Sequence, residues 1–189
     1  MRWAILLFII VGCNAGGLPG STPDGTDPRN CSPLVEAVKD EGQVHVDFGT
    51  VVTYAHNPPA SGPHWPSTHP WGQFGEVVPR MWWVHNLEHG GIVLLYNCPG
   101  LSADAGAPDS DAGAPWPCPE ITTPLRQLMN EMPLDKWNEV RMIVTGDPVL
   151  NHTVAAVAWG WSYQADKIDL KALRCFRDTR YGRGPEDAP

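Results

Sequence analysis

Seven histidines carry the chemistry this chain offers: His45, His56, His64, His69, His85, His89 and His152. Five of them fall between positions 56 and 89. His85 and His89 are spaced i, i+4, so one helical turn points both imidazoles the same way, as a short helix does when it offers two ligands to one metal. His64 sits in Ser61-Gly62-Pro63-His64-Trp65-Pro66, where proline on both sides lowers the entropy cost of holding the ring in place. His64, His85 and His89 are therefore the candidate ligand set. Three neutral imidazoles suit copper or zinc better than calcium or magnesium. The all-imidazole set and an oxidising compartment, argued below, put copper first. His56, His69, Met81 and Glu88 are candidates for a fourth ligand or for a group that supports the ligand rings. Glu88 and Asn86 lie close enough in sequence to accept the second ring N–H of a ligand histidine. His45 alternates with Val44 and Val46 on an expected strand and should face solvent; His152 lies in a turn and is read as surface.

The same residues admit a catalytic reading. His85-Asn86-Leu87-Glu88-His89 has the form H-x-x-E-H, in which two histidines bind zinc and the glutamate acts as general base of a protease. That motif needs a long helix, whereas Gly90-Gly91 and an apolar run follow at once. It also needs a downstream glutamate ligand, and none occurs between Glu139 and Glu186. A metal-dependent hydrolase or oxidase is thus the alternative to metal binding or delivery. Trp65, Trp71, Trp82 and Trp83 open a third reading, a sugar- or peptide-binding platform of rigid rings. Tryptophan at this density more often packs core and loops. No Gly-x-Ser-x-Gly elbow and no phosphate-binding loop occurs in the sequence.

The elements that must hold these side chains mix helix and strand. A helix is expected over 32–42, with Ser32 as N-cap, Pro33 at the first helical position and Gly42 as terminator. Strands are expected over 44–48 and 51–54. Positions 57–79 contain six prolines and three glycines and should form a long ordered loop. The continuous apolar run 91–97 reads as a central strand buried on both faces. A helix over 123–132 with Pro124 inside its start, strands over 139–145 and 153–161, and a helix over 170–181 complete the pattern. The fold class is α+β: a two-layer sandwich of a small mixed sheet with helices on one face and the Pro/Gly-rich loop. If the strands of 91–97 and 139–145 are parallel neighbours, the crossover between them is right-handed.

The ends and the cysteines bear on location. Met1-Arg2, an apolar run over 3–11, and Gly12-Cys13 read as a signal peptide over 1–12 and a lipid-accepting cysteine at Cys13. Nine apolar residues are too few to span a bilayer, which takes about 20, so attachment would come from acyl chains. Asn14 rather than Asp follows the cysteine, which points to the outer membrane. Positions 14–30 are rich in Gly, Pro, Thr and Asp and read as a tether with a reach of roughly 20–25 Å. Four cysteines remain in the domain expected over 31–189. Cys98 and Cys118 bracket a low-complexity insert over 101–117, so they are expected to pair, leaving Cys31 with Cys175. A net charge of −8 argues against nucleic acid as partner. The partners expected are the membrane, through the lipid, and a protein that donates or accepts metal. Oligomeric state is left open.

Pro58-Pro59-Ala60-Ser61-Gly62-Pro63-His64, then Val84-His85-Asn86-Leu87-Glu88-His89-Gly90-Gly91 and an apolar strand, resemble the DUF3105 family, bacterial exported domains of unknown function. Gly184-Pro185-Glu186 is similar to that family's C-terminus. Ala60 stands where the family pattern has Thr, and the 101–117 insert is a local addition. The resemblance implies no activity, but it implies that His64, His85 and His89 belong to one shared pattern.

Overall fold

A computed structural model describes residues 27–101 and 116–189. The expected signal peptide, Cys13, most of the tether and most of the insert lie outside the described residues. Six strands form one mixed sheet: β1 (Val35–Ala37), β2 (Gly72–Gln73), β3 (Ile92–Tyr96), β4 (Met142–Gly146), β5 (Val154–Ala158) and β6 (Trp161–Ala165), in the order β1-β6-β5-β3-β4-β2. Helices α1 (Arg80–Glu88), α2 (Pro119–Asn130) and α3 (Leu170–Arg180) cover it.

The apolar run read as a central strand becomes β3, buried at every position. It lies between β5, antiparallel, and β4, parallel, and α2 makes the crossover that the parallel pair requires. The two faces of β3 separate two cores. Ile92, Leu94 and Tyr96 pack with Leu125 and Leu128 of α2 and Leu173 and Phe176 of α3. Val93 and Leu95 pack on the other face with Trp83, Val84 and Leu87 of α1 and with Ala60 of the proline-rich loop. The α+β class and mixed sheet are as expected. α2 and α3 share one face, and α1 adds a helical cover to the opposite face that the two-layer scheme did not include.

Five local expectations change. Positions 32–42 form no helix; Val35–Ala37 is an edge strand paired with β6, and Val38 N–H continues the edge by donating to Gly160 O. Val35 and Val38 have helical spacing, yet they enter opposite cores of the sheet, which an extended chain achieves with an odd offset. Positions 44–48 and 51–54 form no strand beyond one parallel bridge between His45 and His64, and Val44, Phe48 and Val51 are exposed. The single strand expected over 153–161 stops at Ala158: Trp159-Gly160 turns the chain, with Gly160 at φ +71, and β6 runs back over positions that, past 161, carry no expected element. α2 starts earlier than expected, with Pro119 in its first turn, where a missing N–H costs nothing. The tether also ends early: Pro28–Asn30 is a 3-10 turn capped by Asp27, with Pro28 buried.

Both expected disulfides form, Cys98–Cys118 and Cys31–Cys175. Cys31–Cys175 ties the segment before β1 to α3.

Candidate metal centre

α1 follows Pro79, which starts the helix at its preset φ, and it is capped after Glu88 by His89, whose N–H returns to His85 O. From Trp83 to Glu88 every residue is buried, because the sheet lies under one side and the proline-rich loop over the other. Asn86 fastens that loop: its Oδ1 accepts the His69 N–H at 2.9 Å and its Nδ2 donates to His69 O at 2.8 Å. Trp65 N–H donates to Met81 O at 2.8 Å. These bonds lay His64 across the last turn of α1. The segment around His45 joins it through Val46 N–H to His64 O at 2.8 Å and His64 N–H to Val44 O at 3.0 Å.

The result is a convergence of four side chains. His64 Nε2 lies 3.0 Å, His45 Nε2 3.6 Å and His85 Nε2 3.8 Å from the same Glu88 oxygen, Oε2. The three ring centroids are 4.7–4.9 Å apart. One ligand atom from each of the four residues lies within 4.8 Å of all the others. Metal–ligand bonds of about 2.0–2.1 Å place the corners of a tetrahedron about 3.3 Å apart. The three nitrogen–oxygen distances bracket that value. This His/Glu group could hold a metal ion.

Hydrogen bonding prepares the rings for that use. His64 Nδ1 lies 2.8 Å from Gly62 O, and His85 Nδ1 lies 2.8 Å from Trp65 O. A backbone carbonyl only accepts, so each Nδ1 carries the proton and each neutral ring presents the lone pair of Nε2 to Glu88. Burial pushes the pKa of both rings down and that of Glu88 up, the nearby Glu186 carboxylate adding to the latter. Neutral imidazole lone pairs facing a carboxylate repel it. Either a proton or a cation must lie between them. Glu88 is also the last residue of α1, where the helix dipole is negative and a cation is favoured. The side chains of His64 and Glu88 are 0% and 2% exposed, and that of His45 is 48% exposed, so the group is open on the His45 side.

The expected ligands divide. His64 and His85 come together, and Glu88 joins them in one group. His89 turns to a second, adjoining group with Glu88 and Glu186. His45 is half-exposed, in keeping with its alternation, yet its bridge to His64 sets it in the group in place of His89. His152 is half-exposed beside Asp166, as expected for surface. His56 instead pairs with Glu36 Oε1 at 3.0 Å and Pro58 O at 2.6 Å. His69 packs its ring edge-on to Phe74 and Trp82. Met81 lies one turn before His85 on α1. Asn86 is a loop clasp, not an acceptor for a ligand ring. The tryptophans make no common platform: Trp83 is fully buried, Trp71 stacks where a Cβ on Gly91 would meet it at 2.5 Å, and Trp65 and Trp82 pack with Phe48. α1 ends at Glu88, so the long helix that the protease motif requires is absent.

Fold and cluster define an α+β domain carrying a His/Glu group that could hold a metal ion between a proline-rich loop and a helix end. The chain belongs to the family described as protein of unknown function (DUF3105), whose model matches residues 45–189. That stretch begins at His45 and contains every member of both groups. No curated protein and no solved structure matches the chain.

Proposed function

We propose that this chain is an envelope-anchored metal-binding domain, holding copper or zinc at His45, His64, His85 and Glu88 for binding or delivery. The observation that carries the reading is the convergence of three Nε2 atoms on one buried oxygen of Glu88, two of the rings having their proton held on Nδ1. A carboxylate among the donors favours copper(II) or zinc over copper(I), which prefers soft sulfur ligands. Delivery is favoured over a sealed structural role because His45 is half-exposed, leaving one side through which an ion can pass to a donor or acceptor protein. Exposed Val44 and Phe48 beside it offer apolar contact to such a partner.

Attachment through lipid on Cys13 rests on the signal-like residues 1–12 and the small residue before the cysteine; two disulfides agree with an oxidising compartment. Mass spectrometry of the mature N-terminus tests this, with an unacylated Cys13 as the contrary result.

For the centre, metal-free protein is loaded with Zn²⁺ or Cu²⁺ and its content measured after gel filtration. At least one ion per chain is expected, and the ion held by this group is lost in the His64→Ala, His85→Ala double variant while the disulfides stay formed. Unchanged content in that variant overturns the assignment.

A further inference from the structure

Glu88 belongs to two groups at once. Beside the three-imidazole cluster, ligand atoms of Glu88, His89 and Glu186 lie within 4.8 Å of one another. His89 is the C-cap of α1, and its ring is turned as the others are: Nδ1 lies 2.6 Å from Pro189 O, which leaves Nε2 facing Glu186 Oε2 at 3.5 Å. The His85 and His89 ring centroids are 4.8 Å apart, so the second group adjoins the first.

Glu186 arrives from the far end of the sequence through a built dock. Its N–H donates to Glu88 O at 3.0 Å, and Gly182 N–H donates to Gly90 O at 2.8 Å. A Cβ on Gly184 would overlap Glu88 O and Gly90 N, so glycine alone permits this approach. Arg141 Nη1 donates to both His89 O and Ala188 O and fastens the tail to the helix end. This architecture brings a second carboxylate toward the 1% exposed Glu88 at the negative end of a helix, an arrangement that favours positive charge.

We propose that Glu88, His89 and Glu186 bind a second divalent transition-metal ion, with the Glu88 carboxylate bridging it to the ion held by His45, His64 and His85. A carboxylate has two oxygens with lone pairs enough for two ions, and bridged pairs of this kind sit about 3.5–4 Å apart. The inference rests on the three-imidazole reading, since Glu88 is common to both.

Full-length metal-free protein is titrated with Zn²⁺ and its content read by elemental analysis, with Co²⁺ in parallel for electron paramagnetic resonance. The wild type should hold two ions per chain, and Co²⁺ should show spin coupling at full loading. His89→Ala and Glu186→Gln should each hold one ion and lose the coupling, with circular dichroism checking that both remain folded. One ion in the wild type, unchanged in both variants, overturns the second site and leaves the first standing. No ion in the wild type overturns both. Loss of all metal in a folded Glu186→Gln variant overturns the claim of a separate second position.

Discussion

His64 Nε2 and Glu88 Oε2 face each other at 3.0 Å in the protein interior, while His64 Nδ1 is engaged by the Gly62 carbonyl. The ring cannot donate from both nitrogens while neutral, and burial opposes its second proton. The contact is therefore resolved by a proton on Glu88 or by a metal ion between the two.

Glu88→Gln separates these cases. The amide keeps shape and can donate to His64, so the metal-free fold should survive with a melting temperature equal to or above that of the wild type. Metal affinity should fall by at least about 100-fold, more than the 10–100-fold typical of outer-shell changes. Competition with a chromophoric chelator measures it; wild-type affinity in this variant would remove Glu88 from the centre.

The pH dependence of stability follows from the same groups. His64 and His85 have depressed pKa values in the folded protein, so the unfolded chain binds more protons below their ordinary value of about 6.5. Their contribution is present above that pH and is lost as pH falls through the folded values. Glu88, raised by burial, has the opposite sign: its contribution is present below about 4.5 and is lost as pH rises through its folded value. Chelator-treated protein should therefore melt at lower temperature at pH 5.5 than at pH 7.5. Replacing both histidines with Asn should flatten that part of the profile. Bound metal should make the fall steeper, because its ligands must be deprotonated.

The two disulfides should differ in worth. Cys31–Cys175 closes a separation of 144 residues and Cys98–Cys118 one of 20. Loop entropy assigns them about 5 and about 3 kcal/mol respectively. Denaturant titrations of Cys31→Ser/Cys175→Ser and Cys98→Ser/Cys118→Ser should rank them in that order. The reverse order would show that this part of the chain is held chiefly by the pairing of β1 with β6.

Gly184→Ala should release the tail. The added methyl meets Glu88 O and Gly90 N, both backbone atoms in a packed helix end, so the tail rather than the helix must yield. A loss of about 2 kcal/mol is expected, within the range for overpacking, with faster proteolysis after Arg183. Wild-type protease resistance would place the tail's anchorage elsewhere, at Arg141.

Some of this protein was legible in its residues. The apolar run of β3 can be satisfied only between two neighbours, and the i, i+4 histidines followed by Gly90 announce a helix end bearing ligands. His64 between prolines marks a preformed loop. Local chemistry suffices for these because each depends on residues a few positions apart. The rest depended on which distant segments meet. Positions 32–42 have helical spacing, but an open edge on β6 offers backbone hydrogen bonds and two faces for Val35 and Val38, and that outweighs a weak helical preference. His45 joins the cluster because a single bridge sets it beside His64, and Glu186 because two glycines let the tail press against α1. Sequence by itself determined which residue types could bind metal; tertiary structure decided which of them share one point in space, since convergence is set by packing between segments that no spacing along the chain encodes.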